Sequence, residues 1–306
     1  MSARPPGRPR GGPGWPALVH LRLTFSLVLT PLYLWGVLLA GGAHGAWSRV
    51  ALAYLVVHGL LYGGMNAFNS YWDRDEGPIG ALAAPPPVDR RVLVVGVGAK
   101  VAALAASFAF GPLFAGLVAA AVALSTVYSH PRWRWKERPA HAAATIFVGQ
   151  GVLGVLWGWA AASGARSAAA LAGLGPPGWL GVAGAALWTL GFYPLTGAYQ
   201  VAGDAARGVR TLAVALGVEG SFRFAATVGL AGGLVVGAVL LLRGEAAAAF
   251  AAGAYLACAA GYAWRWRARF AGGTARDNQR ALMRLAYANG AFFSLLFGVL
   301  AALARP

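Results

Sequence analysis

Long apolar runs alternate with short polar connections along this chain. Nine runs approach or exceed the roughly 20 apolar residues that a membrane-spanning helix needs. They cover about 17–40, 46–69, 90–110, 112–129, 139–162, 178–198, 219–242, 245–264 and 284–304. Gly111-Pro112 separates the third run from the fourth, and Arg243-Gly-Glu245 the seventh from the eighth; the first of these is a strong turn signal. The pattern predicts an all-α fold: a polytopic membrane protein of nine transmembrane helices. Residues 17–306 form the membrane domain. Residues 1–16, rich in Pro, Gly and Arg, form a basic tail of disordered composition, without the apolar core of a signal peptide.

Composition agrees. Hydrophobic residues make up 58% and charged residues 11% of the chain, against about 25% charged in soluble domains. Mean hydropathy is +0.61. The single cysteine, Cys258, excludes an internal disulfide or a Cys-based metal site and reads as a small residue at a helix contact. The net charge of +16 would suggest nucleic acid in a soluble chain. Here the bases lie between apolar runs, so membrane topology explains them.

With the N-terminus inside, the inner connections are the tail and residues 70–90, 130–138, 199–218 and 265–283. Only Arg49, Arg166, Arg243 and Arg305 then lie outside, while Arg22, Lys100 and Arg223 fall within helices. This bias places the N-terminus in the cytoplasm and the C-terminus outside. The reactive side chains collect on the same side, after the second and the sixth helix. Four helices separate the two loops, which suggests two four-helix halves plus a ninth helix.

The first loop reads NSYWDRDEGPIG and holds three of the chain's nine acids. If the second helix runs through residue 76, Asn69, Asp73 and Glu76 share a face, by i+4 and i+3 spacing, and Asn66 extends it. Asp75 points elsewhere unless the helix unwinds before Gly77-Pro78. Amide and carboxylate oxygens of this kind suit Mg²⁺, which keeps water and substrate phosphate in its shell. The bland alternative is a solvated helix end with Arg74 pairing one acid. The second loop, YPLTGAYQVAGDAARGVRTLAVALG, puts Gln200 and Asp204 at i, i+4, with Arg207 and Arg210 following at three-residue steps. Arg recognises phosphate bidentately. Ordinary inner-side charge is the competing account of these arginines. A third inner loop, YSHPRWRWKERPAH, adds Tyr128 and the bases Arg132, Arg134, Lys136 and Arg138, for ligand contact or for anionic lipid.

The two acidic stretches together resemble the UbiA superfamily of intramembrane prenyltransferases, in a divergent bacterial-type form. The first family motif is NDxxDxxxD. Here Asn69 and Asp73 match, Ser70 and Gly77 replace two aspartates, and Glu76 stands one residue from the last. GVRTLAVALG matches the end of the second motif, and Asp204 fits an aspartate before it. Gln200 and Gly197 stand where others usually are. The Tyr-Ser-basic segment at 128–138 is also similar, and helix number and motif placement cover nearly the whole chain.

The resemblance implies transfer of a prenyl group from a prenyl diphosphate to a small aromatic or quinone-precursor acceptor. Mg²⁺ would be held by Asn69, Asp73, Asp75, Glu76, Gln200 and Asp204. Asn69, Asp73, Glu76 and Asp204 would be catalytic. Arg22, Asn66, Tyr128, Lys136, Tyr199, Gln200, Arg207 and Arg210 would bind substrate. Arg22 is open between reading an acceptor's acidic group, reading the diphosphate and simple snorkelling. Tyr62, Phe68, Tyr71, Tyr193 and Tyr199 are candidates to shield an allylic cation, against plain packing. Partners would be the prenyl diphosphate, a lipophilic or aromatic acceptor and membrane lipid, with no nucleic acid and no obligate protein partner. The site would face the cytoplasm from a bacterial-type inner membrane. Competing readings are a terpene cyclase of the same fold, an inactive scaffold, and a transporter, for which Lys100 and His58 are the ionisable groups at depth.

Overall fold

The computed structural model describes residues 15–304. Residues 1–14 of the expected tail lie outside the described residues. Among the described residues, nine helical spans are long and apolar enough to cross a membrane. They are α1 (Pro16–Leu39), α2 (Trp47–Asp73), α3 (Arg90–Phe110), α4 (Pro112–Ser129), α5 (Pro139–Ser163), α6 (Ala168–Ala198), α7 (Leu212–Leu242), α8 (Ala246–Gly272) and α9 (Ala275–Leu303). The all-α, nine-span expectation holds.

The main departure lies between α8 and α9. The polar stretch expected as a loop over 265–283 is largely helical. Thr274 caps α9, and its side chain and that of Asp277 satisfy each other's backbone N–H groups, a capping box that starts a helix inside polar sequence. Cys258, expected at a helix contact, is exposed on α8. α8 buries few residues, so the cysteine faces outward from the bundle.

α5 is the axis. Every residue from Leu153 to Ala161 is buried, as befits a helix apolar all round. Two glycines set its approach to α1. A Cβ on Gly36 would sit 1.9 Å from the Val155 carbonyl oxygen, and one on Gly158 would sit 1.8 Å from that of Tyr33. The two backbones touch, the small-residue packing favoured where lipid supplies no hydrophobic drive between helices.

α1 is broken at its polar end. His20 to Arg22 leave the helix, and Arg22 adopts left-handed backbone angles of φ 48° and ψ 46°. Asn66 of α2 stabilises this break by donating to the Leu21 carbonyl at 3.2 Å, and Arg22 donates back to the Asn66 carbonyl at 3.1 Å. α2 and α5 carry wider, π-type turns at Leu55–Leu61 and Phe147–Val152, a feature frequent at functional sites.

Candidate active site

A cavity of about 370 Å³ runs from the polar end of the bundle into its apolar interior. Leu29, Leu32, Leu124, Ile146, Trp188 and Phe192 form its apolar walls. Its polar mouth is built from the ends of α2, α4 and α6 and from their connections.

On one side stands Asp73, the last residue of α2. Asn69 donates to its carboxylate at 2.9 Å, Lys136 makes an ion pair with its other oxygen, and Ser129 donates to the Asn69 carbonyl at 3.0 Å. Opposite, a short helix over Val201–Ala206 presents Asp204, which pairs with Arg207 at 2.6 Å. Tyr128 and Tyr193 share a hydroxyl hydrogen bond of 2.8 Å between these sides.

The connection 74–89 covers the mouth and is held through its backbone. Gln200 donates to the Pro78 carbonyl at 3.1 Å, and the Gly80 N–H donates to the Tyr199 hydroxyl at 3.2 Å. Gln279 of α9 donates to the Gly80 carbonyl at 2.6 Å, and the His20 ring meets the Pro86 carbonyl at 3.1 Å.

Arg22, Asn66, Asn69, Asp73, Asp75, Tyr128, Lys136, Tyr199, Gln200, Asp204 and Arg207 all line the cavity, while Glu76 and Arg210 are exposed and do not. The shared face expected for Asp73 and Glu76 does not form, because α2 ends at Asp73. Arg74 takes a left-handed turn at φ 51°, and Pro78 disfavours helical geometry at the residue before it. The chain therefore reverses, bringing Asp75 to the cavity and turning Glu76 out. Arg210 leaves the line of Asp204 and Arg207 for the same kind of reason: the helix stops at Ala206, and Gly208 turns at φ 71°.

Of the aromatic candidates, Tyr193 and Tyr199 reach the cavity. Tyr62 packs on Trp157, and Tyr71 on Trp72. Phe68 faces the Lys100 ammonium at 4.1 Å, and Lys100 also donates to Thr126 at 2.8 Å. Lys100 thus braces α2, α3 and α4 behind the cavity wall. His58 is likewise behind it, stacked on Tyr54 at 3.9 Å. Arg134, Gln150 and Asn289 line the cavity without having been singled out in the acidic motifs.

The mouth is electrostatically poised. Burial, with repulsion from Asp204, raises the Asp75 carboxyl above its usual range, and burial raises Asp204 too. Burial lowers the Lys136 ammonium to about 8, and raises the Tyr199 phenol to about 12. Two buried carboxyls whose charged forms are disfavoured gain from a cation bound beside them. No three of His, Cys, Asp and Glu converge into a closed metal cluster among the described residues. The arrangement instead fits a hard ion held by a few oxygens that completes its shell with substrate phosphate and water.

The model of the UbiA prenyltransferase family matches residues 29–302. The chain belongs to the UbiA prenyltransferase family. A UbiA homolog from Archaeoglobus fulgidus bound to GPP and Mg²⁺ superposes with a TM-score of 0.70 at 17% identity, covering 94% of this chain and 100% of that one. The same homolog bound to DMAPP and Mg²⁺ gives 0.69, also at 17%, covering 94% and 99%. The apo structure of a UbiA homolog from Aeropyrum pernix K1 gives 0.66 at 20%, covering 91% and 99%. No curated protein matches the chain. UbiA membership and the shared fold account for the two motif-bearing helix ends meeting at one cavity.

Proposed function

We propose that this UbiA-family protein transfers a prenyl group from an allylic prenyl diphosphate to a carbon of a small aromatic or quinone-precursor acceptor. The observation that carries the reading is the division of the cavity: acids and bases opposed at its mouth, apolar walls above them. A diphosphate belongs at the mouth and a prenyl chain against the walls. The relatives bound to GPP and DMAPP with Mg²⁺ support this.

Asn69, Asp73 and Asp75 on one side, and Asp204 with the Gln200 carbonyl on the other, are the residues that would hold Mg²⁺. When bound, the ion neutralises charge on the diphosphate oxygens as the carbon–oxygen bond breaks. Lys136, Arg134 and Arg207 add fixed positive charge to the same leaving group. Arg22, at the break in α1, also lines the cavity, with its guanidinium on the Asn66 carbonyl of α2. Tyr193 and Tyr199 line the cavity, and their π faces would stabilise positive charge on the allylic carbon. The apolar walls exclude water that would otherwise trap the cation. The acceptor carbon then supplies the electron pair of the new carbon–carbon bond and loses its proton.

The test is incubation of purified protein with Mg²⁺ and prenyl diphosphates of several lengths, with and without a membrane lipid extract, read by mass spectrometry. A prenylated adduct that forms only with the extract and Mg²⁺ is the expected result. Release of a cyclic terpene without any acceptor, or turnover unaffected by chelation, overturns the reading.

A further inference from the structure

A second, more open cavity of about 300 Å³ lies between the 74–89 connection and α9. Ala81 and Ala83 form one wall. Gln279, Arg280, Met283 and Arg284 form the other, with Tyr287 one turn further along α9. The connection serves both cavities. Gly80 lines the first, and its carbonyl accepts from the buried Gln279 amide of the second at 2.6 Å.

This groove is basic. Among the described residues no acid lines it. Arg284 is exposed and has no partner among them, and Arg280 reaches only Asp277, at 3.8 Å. The two arginines stand at i, i+4, where like charges repel, so an anion between them relieves the pair. Guanidinium groups match phosphate oxygens in particular. The same stripe then turns apolar. Arg280, Arg284, Tyr287, Ala291 and Leu295 follow at steps of four, three, four and four, and all are exposed; such steps keep to one helix face. Arg284 to Leu295 spans roughly 17 Å by helical rise, comparable to one leaflet of a hydrocarbon core about 30 Å thick. Tyr287 stands between the basic and the apolar part, as aromatic residues do at a membrane interface. A phosphate alone would use only the arginines. An amphiphile with an anionic phosphate head uses the whole line.

We infer that this groove binds an anionic phospholipid, its phosphodiester on Arg280 and Arg284 and an acyl chain along Ala291 and Leu295. The inference stands apart from the prenyl-transfer reading, since neither arginine lines the active-site cavity.

The test is titration of the purified protein in detergent with dioleoylphosphatidylglycerol or dioleoylphosphatidylcholine, with bound lipid read by native mass spectrometry. Each basic residue near a lipid surface strengthens anionic-lipid binding about fivefold, so wild type should prefer the phosphatidylglycerol by about tenfold or more. Arg284→Gln should lose about fivefold, and Arg280→Gln/Arg284→Gln should bring the two lipids within about threefold of each other. Arg265→Gln/Arg269→Gln removes two exposed arginines of α8 that do not line the groove, and should keep the preference. An unchanged melting temperature reports that a variant is folded. No preference in wild type, an undiminished preference in the folded Arg280/Arg284 variants, or an equal loss in the α8 variant overturns the site. Displacement of the phosphatidylglycerol by glycerol 1-phosphate at matching concentration would assign the groove to a free phosphate ester and overturn the lipid.

Discussion

At the scale of single residues, the three acids of DRDEG separate by where they stand rather than by their chemistry. Asp73 is fixed by Asn69 and Lys136, Asp75 lines the cavity, and Glu76 is exposed. Asp73→Ala and Asp204→Ala should each lower turnover by about 100-fold or more, the scale seen when a group that stabilises developing charge is lost. Asp75→Asn should cost about tenfold or more, as for perturbed metal environments. Glu76→Ala should stay within about threefold, the range of a surface change. Steady-state rates on one prenyl diphosphate check all four. A large loss at Glu76 with none at Asp75 would reverse the assignment. Lys136 supplies the pH dependence. Its ammonium is held near 8 by burial, so it is charged below that pH and loses charge above it. kcat/KM, which reports the free enzyme, should therefore fall as pH rises through about 8. In Lys136→Arg that limb should move well to the alkaline side, because guanidinium stays charged. The sequence makes the acids, amides and bases visible but not their facing. Asp75 and Glu76 differ by one position, and which one turns inward depends on the left-handed turn at Arg74. Gln150 and Asn289 were hidden for another reason: single amides in apolar helices carry no motif, and only the cavity lining brings them to notice.

At the scale of elements, helix existence follows from apolar run length, whereas helix contacts follow from glycine positions that run length does not reveal. Gly158 and Gly98 look alike in sequence, each a glycine within an apolar helix. A Cβ at Gly158 would meet the Tyr33 carbonyl oxygen at 1.8 Å, while one at Gly98 would meet nothing within 4 Å. Gly158→Ala must push α1 from α5, and overpacking of this kind costs about 1–3 kcal/mol or more. Gly98→Ala relieves a flexible residue in an exposed helix, where Ala is favoured over Gly by about 1 kcal/mol. Thermal unfolding of the purified variants in one detergent should show Gly158→Ala melting clearly below wild type and Gly98→Ala at or slightly above it. Equal melting of the two would mean that α1 and α5 are not in backbone contact. The connection between α8 and α9 shows the converse limit. Its residues are polar enough to read as loop, yet the capping box at Thr274 and Asp277 starts a helix there, so polarity alone misplaced that boundary.

For the whole molecule, orientation rests on charge, and the exceptions to the bias have structural uses. Arg49 donates to the Phe110 carbonyl at 2.7 Å, at the end of α3, and Arg243 donates to the Leu38 carbonyl at 2.9 Å, at the end of α1. The Phe110 carbonyl is one that a helix C-terminus leaves open, while the Leu38 carbonyl also accepts from the Gly41 N–H at 2.9 Å; at both helix ends positive charge is favoured by the helix dipole. These two arginines are thus anchored in the bundle, and most of the other bases lie on the connections at the end that carries the cavity mouth, the bias on which the expected sidedness rests. The proposed topology puts that mouth in the cytoplasm, which suits a diphosphate substrate whose charged head cannot cross the bilayer. Cysteine labelling tests it. In a Cys258→Ser background, a cysteine placed at the exposed Ala206, beside the mouth, should resist a membrane-impermeant maleimide in intact cells. It should react in inverted membrane vesicles. A cysteine at the exposed Ser167, at the other end of the bundle, should show the opposite pattern. If Ala206→Cys labels from outside intact cells, the mouth faces away from the cytoplasm. The charge bias would then have failed as a guide to the side on which the cavity of this protein opens.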